Sequence, residues 1–211
     1  MTRTLTRRAA LTGAILLAGV VLGACGSTGS GSPDGPLSGG ANATSAPASS
    51  AAATFGDADT AFAQQMIPHH QQAVAMAVLA ETRAADPEVK KLAGQIKAAQ
   101  DPEIATMTGW MTAWGKPMPM ASTDHGMDMG GGTAMPGMMS GADMTKLAAA
   151  TGKNFDKEFL TMMIAHHEGA ITMAKDQVTN GKNADAIALA KQIITAQEAE
   201  IATMKTILAR L

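Results

Sequence analysis

The chain has 211 residues, a formal net charge of −2, 3% aromatic residues, no tyrosine and one cysteine. So few aromatic residues argue against an all-β fold, and a lone cysteine excludes both an internal disulfide framework and every multi-cysteine metal site. The 17 methionines are the compositional departure.

The first 24 residues read as a targeting segment and stand outside any argument about the fold. Arg3, Arg7 and Arg8 form a positive region, followed by an apolar stretch from Ala9 to Leu22 that is short for a membrane span, since spanning takes about 20 residues. The stretch ends in Leu22-Gly23-Ala24-Cys25, which resembles the lipobox of bacterial lipoproteins, with Cys25 as the lipidated first residue of the mature chain. Thr6-Arg7-Arg8-Ala9-Ala10-Leu11 also resembles part of a twin-arginine signal, so the export route stays open. Removal of this segment leaves 13 basic against 18 acidic groups, a charge of −5, with no bulk attraction for nucleic acid. The expected location is the outer face of the bacterial cell membrane.

Residues 25–56 are nearly all Gly, Ser, Ala, Thr and Pro after the cysteine. They bury too little apolar surface to offset ordering entropy and are predicted to be a flexible tether. The remainder, 57–211, is organised by an internal repeat. A shift of 97 residues carries Phe62 onto Phe159, Met66 onto Met163, His69 and His70 onto His166 and His167, Ala73 onto Ala170 and Met76 onto Met173. The same shift carries Ile96, Gln100, Glu103, Ile104 and Met107 onto Ile193, Gln197, Glu200, Ile201 and Met204 without a gap.

Each unit reads as a helical hairpin, 57–114 and 144–211. In its first helix Phe62, Met66, His69, Ala73 and Met76 are spaced four and three apart, a seam along one helix face. In its second, Leu92, Ile96, Ala99, Glu103 and Met107 do the same, and both seams recur in the second unit. Asp86-Pro87 supplies an N-cap followed by proline at the first helical position. Asn180-Gly181 closes one helix and Asn183 opens the next. Four such helices predict an all-α four-helix bundle built from two tandem hairpins. Pro68 and Pro102 fall inside the first unit's helices where the second unit has Ala165 and Ala199, and kinks are expected beside His69 and Glu103.

Between the hairpins, 115–143 is rich in Gly, Pro and Met and is read as one long loop with solvent-facing methionines. It carries Met118, Met120, His125, Met127, Met129, Met135, Met138 and Met139.

All five histidines lie in these elements. Adjacent helix positions are about 100° apart, so His69 and His166 face the bundle axis while His70 and His167 flank it. Six polar groups, the four helix histidines with Glu103 and Glu200, therefore sit on or beside apolar seams. Buried without partners they would cost about 1–3 kcal/mol each, so they must pair with one another, reach water or bind something. Thioether beside imidazole favours Cu(I), and imidazole also holds Cu(II); copper is the expected ion. His166-His167-Glu168-Gly169-Ala170-Ile171 begins like HExxH, but Ile171 stands where the second zinc ligand belongs. The ExxH motifs of a ferritin-type di-iron centre are missing too: Glu103 and Glu200 are followed by Thr106 and Thr203 at that position.

Both copies of Phe-x-x-x-Met-Ile-(Pro/Ala)-His-His-x-x-Ala-x-x-Met-Ala, each followed by Gln-x-x-Glu-Ile-x-x-Met, resemble the bacterial family called domain of unknown function 305. The match runs from Phe62 to Met107 and from Phe159 to Met204 and covers roughly 57–211. The resemblance implies a ferritin-like four-helix bundle, export, and similarity to periplasmic proteins of copper resistance. It implies Met66, His69, His70, Met163, His166 and His167 as candidate ligands, with Glu103, Met107, Glu200 and Met204 around them. It implies no enzymatic activity. The loop methionines and His125 lie outside the family motif and form a secondary metal site on ligand chemistry alone. The expected function is copper sequestration, storage or chaperoning by an exported, lipid-anchored protein. The alternatives are a ferritin-like metal oxidase and a structural bundle that binds no metal.

Overall fold

The structure is a computed structural model that describes residues 54–119 and 135–211. Five helices account for its regular structure: α1 (Asp57–Arg83), α2 (Pro87–Ala113), α3 (Gly141–Ala149), α4 (Gly152–Asn180) and α5 (Ala184–Arg210). There is no strand among the described residues, so the predicted all-α class holds. The four long helices have 27 to 29 residues, or about 40 Å each at the α-helical rise. Helices α2 and α5 correspond to the residue under the 97-residue shift.

Local signals set the boundaries. The Asp86 side chain accepts from the amides of Glu88 and Val89 ahead of Pro87, and the Asn183 side chain accepts from the Ala186 amide. Each satisfies donors that the first helical turn leaves orphaned. Pro68 and Pro102 lie within α1 and α2, and both helices run on through them uninterrupted.

Helices α1 and α2 form one hairpin and α4 and α5 the other; α1 packs along α4, whereas α2 and α5 barely meet. The histidine-bearing helices are thus the inner pair. One apolar cluster collects Phe62, Met66, Met107 and Met111 with Ala170 and Met173. The other collects Met76, Leu92 and Ile96 with Phe155, Phe159, Met163 and Met204. Each cluster draws on both hairpins, so burial of these seams joins the two units as well as closing each one.

Two buried carboxylates add a directional contact. Asp59 on α1 accepts from the amides of Lys182 and Asn183, in the α4–α5 turn, and from the Gln177 side chain. Asp156 on α4 accepts from the amides of Ala85 and Asp86, in the α1–α2 turn. Asp59 and Asp156 are repeat equivalents, so each hairpin caps the other's turn. Burial works against the charge of Asp59, but hydrogen bonds from Gln177, Gly56, Asn183 and Lys182 outweigh it and hold its pKa below the ordinary carboxylate value.

The segment between the hairpins differs from the single loop expected over 115–143. Helix α3 begins at Gly141, where Ser140 and Asp143 form a reciprocal capping box, the Ser-x-x-acid variant of a common helix start. Met139 and Met144 pack against the core cluster, so this end of the segment is not a solvent-facing methionine tail. Met118 at the other end is 42% exposed, as expected. No helix among the described residues is long and apolar enough to cross a membrane.

Candidate metal centre

His69 and His70 follow one turn after Met66 on α1, and His166 and His167 follow one turn after Met163 on α4. The side-chain spacing of the α-helix puts residues three and four apart on one face. Because α1 lies along α4, the four imidazoles gather in the interior, and all four are buried. The rings of His69 and His166 face each other across the inter-hairpin seam, with centroids 3.7 Å apart and a tilt of 37°. His70 and His167 turn instead toward the outer helix of their own hairpin. His70 Nε2 lies 2.8 Å from Glu103 Oε2 and His167 Nε2 lies 2.7 Å from Glu200 Oε2.

The carboxylates sit at the rim, 20% and 19% exposed. Each accepts from the Nε2–H of its histidine, which leaves Nδ1 as the nitrogen placed to offer a lone pair to a metal. A carboxylate that holds one nitrogen in this way fixes the tautomer and raises the basicity of the other, as it does for metal-bound histidines generally. His69 is held by a different group: its Nε2–H donates to the Pro136 carbonyl at 3.0 Å. The Nδ1 atoms of all four histidines, and Nε2 of His166 as well, are buried with no hydrogen-bond partner among the described residues.

Burial, reinforced by the adjacent His70 ring, lowers His69 to about 3 in spite of the Pro136 carbonyl, which favours the charged form. Burial and the neighbouring histidines also push His166 well below its ordinary value. Both rings are therefore neutral at neutral pH, the form in which imidazole can bind a metal.

Met66, Met107, Met163 and Met204 are all fully buried. The structure thus brings the ten sequence-predicted helix residues into the interior or its rim. It does not arrange them as a finished cage: among the described residues no three His, Cys, Asp or Glu side chains converge as a metal-holding group. The secondary loop set is divided. Met118 is exposed, Met135, Met138 and Met139 are half-buried against the bundle, and Met120, His125, Met127 and Met129 lie outside the described residues, as does Cys25.

Several residues of the site were not singled out in the sequence. Pro136 acts through its backbone carbonyl, which no side-chain pattern reveals. Gln100 and Gln197, one turn before Glu103 and Glu200, are buried with amide atoms that lack partners among the described residues. They stand in the repeated Gln-x-x-Glu motif, and that repetition was the available signal.

The sequence profile described as Domain of unknown function (DUF305) matches residues 59–208. The chain belongs to the DUF305 family. Solved structures resemble this DUF305 chain over most of their length. A DUF305 protein from Streptomyces coelicolor, described as a candidate secreted protein, is 37% identical, with 72% of this chain and 91% of that chain covered and a TM-score of 0.64. A DUF305 fragment from Deinococcus radiodurans is 29% identical over 75% of this chain and 99% of that chain, with a TM-score of 0.63. CopM in its Cu(II)-bound form is 38% identical over 72% of this chain and 96% of that chain, with a TM-score of 0.61. CopM has also been solved with Cu(I) and with silver. No protein of curated function matches the chain.

Proposed function

We propose that this DUF305 protein is an exported, lipid-anchored copper-binding protein that sequesters, stores or hands on the ion without turning it over. The observation that carries the reading is the set of four buried, inward-placed histidines whose Nδ1 atoms have no partner among the described residues. Unpartnered buried nitrogens cost about 1–3 kcal/mol each, and four of them in one place are a burden on a domain whose stability totals about 5–15 kcal/mol. A bound ion relieves that burden. Imidazole together with thioether from Met66 and Met163, one turn before the histidines, suits Cu(I), and the imidazoles alone suit Cu(II). CopM, solved in both copper forms, shares the fold at more than one third identity.

The carboxylates support a reading of binding without turnover. Glu103 and Glu200 each hold a histidine, so neither is placed to bridge two metals as a di-iron oxidase requires. The rings of His69 and His166 meet at a tilt of 37° rather than in a chelating arrangement, so loading includes a ring rotation or recruits a thioether. Export and the lipid on Cys25 rest on the first 25 residues, and the candidate secreted relative agrees with export. The methionines of the connecting segment supply additional, weaker Cu(I) capacity, because ordering that chain costs affinity.

The test is metal analysis of untagged protein loaded separately with Cu(I) and Cu(II). Replacement of His69, His70, His166 and His167 by alanine should remove the tightest bound ion and spare the weaker Cu(I) capacity. Equal tight binding in that variant would overturn the reading.

A further inference from the structure

The two halves of the centre share Met66/Met163, Ile67/Ile164 and both histidine pairs, but Gln72 has Gly169 as its repeat equivalent. Both of these positions touch the same piece of chain, Met135–Met139, which occurs once. The Gln72 amide grips the backbone of Met139 at two points, donating from Nε2 to the carbonyl and accepting at Oε1 from the amide, both at 2.8 Å. On the opposite helix Gly169 leaves room for the chain to cross. A Cβ there would overlap the Pro136 carbonyl and come within 2.7 Å of the Gly137 Cα. Gly137 has φ of 77°, and a Cβ on it would come within 2.6 Å of the Ala165 carbonyl and 2.9 Å of the His166 carbonyl. Glycine is required twice, once for backbone conformation and once for close approach. The segment is seated on the seam between α1 and α4 by built contacts at both edges.

We propose that Met135–Met139 is a strap that covers the histidine centre and selects the nitrogen that His69 offers, with Gln72 and Gly169 as its positioning residues. The part concerning metal rests on the copper reading above; the cover itself does not. Pro136 engages the Nε2–H of His69 and so leaves Nδ1 as its acceptor, whereas His166, otherwise equivalent, has neither nitrogen engaged among the described residues. Two histidines made alike by the repeat are made different by the strap. Beside Pro136 lies a cleft of ≈ 290 Å³ whose walls include Phe62, Gln65, Met173 and Asp176. When the strap lifts, the cleft becomes continuous with His69, and an ion reaches or leaves the centre along that route. The strap carries Met135, Met138 and Met139, so thioether donors move with the element that uncovers the imidazoles.

Two variants loosen the strap without altering any proposed ligand. Gln72→Ala removes both hydrogen bonds to Met139, and Gly169→Ala places a methyl group where Pro136 crosses. The readout that needs no metal is the rate at which diethyl pyrocarbonate acylates each histidine, resolved by mass spectrometry, with circular dichroism confirming that the helices persist. Loss of two hydrogen bonds should speed the labelling of His69 and His166 by roughly tenfold or more, with His70 and His167 changed less. The second readout is release of Cu(I) to a chelator, which should quicken by a similar factor while the number of ions bound stays the same. Labelling at the wild-type rate in a folded Gln72→Ala variant would overturn the strap. Faster labelling in a protein that binds no copper would keep the strap and overturn the copper reading instead.

Discussion

The bonds His70–Glu103 and His167–Glu200 are one contact made twice, at 2.8 and 2.7 Å, and Asp59 and Asp156 cap opposite turns in the same way. Gln72 and Gly169, by contrast, are as unlike as two residues can be, and each meets the connecting segment. The first unit also keeps Pro68 and Pro102 where the second has alanines. Duplication has preserved what binds and what joins the halves, and relaxed where a single connecting chain crosses them. Chemistry that needs both halves is symmetric; control of access, which only one chain can supply, is not.

The largest expected effect breaks that symmetry in the carboxylates. Among the described residues Asp59 takes its hydrogen bonds from Gly56, Gln177, Lys182 and Asn183, Asp156 from Ala85 and Asp86. Asp59→Ala should therefore cost about 4 kcal/mol and Asp156→Ala about 2 kcal/mol, read from urea unfolding of the metal-free protein. Equal losses would mean that the two latches are energetically equivalent in spite of their different partners.

A pH series sharpens the comparison next. His69 is depressed to about 3 in the folded protein, whereas an unfolded histidine titrates near 6.5. Between those values the unfolded chain holds the extra proton, so the contribution is complete above about 6.5 and declines as pH falls toward 3. From His69 alone the metal-free protein should lose about 3 kcal/mol on going from pH 7 to pH 4, an upper figure set by linkage. A His69→Gln variant should show a correspondingly shallower decline in unfolding free energy across that range. The same slope in both proteins would place the histidine in a far wetter setting.

The smallest effect is a test of equality. Glu103→Gln and Glu200→Gln each weaken the hold on one histidine, and loss of such a partner typically lowers metal affinity about 10–100-fold. Competition titrations with Cu(I) should give the two variants the same loss. A difference well beyond a factor of about three, less than 1 kcal/mol, would show that the ion favours one hairpin.

Much of this was legible in the sequence because it was local and repeated. The seams through Met66, His69 and Met76 and through Met163, His166 and Met173 fixed the helix faces, and Asp86-Pro87 and Asn183 fixed two helix starts. Asp59 and Asp156 were overlooked, although each lies three residues before a seam phenylalanine and recurs under the same shift. A repeated acid on an apolar seam was the signal. The strap was not legible, since a Pro136 carbonyl on His69 depends on the path of the chain across 67 residues. The swap of Gln72 for Gly169, between a histidine pair and an alanine that do repeat, was the local mark of the place. Helix α3 was hidden by its surroundings: its Ser140-x-x-Asp143 start lies in a stretch whose glycines and methionines read as loop.

The reciprocal caps carry a consequence for what a single unit could be. A lone hairpin of this sequence would present one buried acid with no turn to hold and one turn with no acid to hold it. A second copy of the same hairpin, rotated half a turn, supplies both missing pieces at once. By this geometry two identical hairpins would complete each other, and the connecting stretch makes the pair one chain. The stretch from Ala113 to Gly141 is then the splice, free of any duty to match a counterpart, and therefore the place where an asymmetric cover could arise.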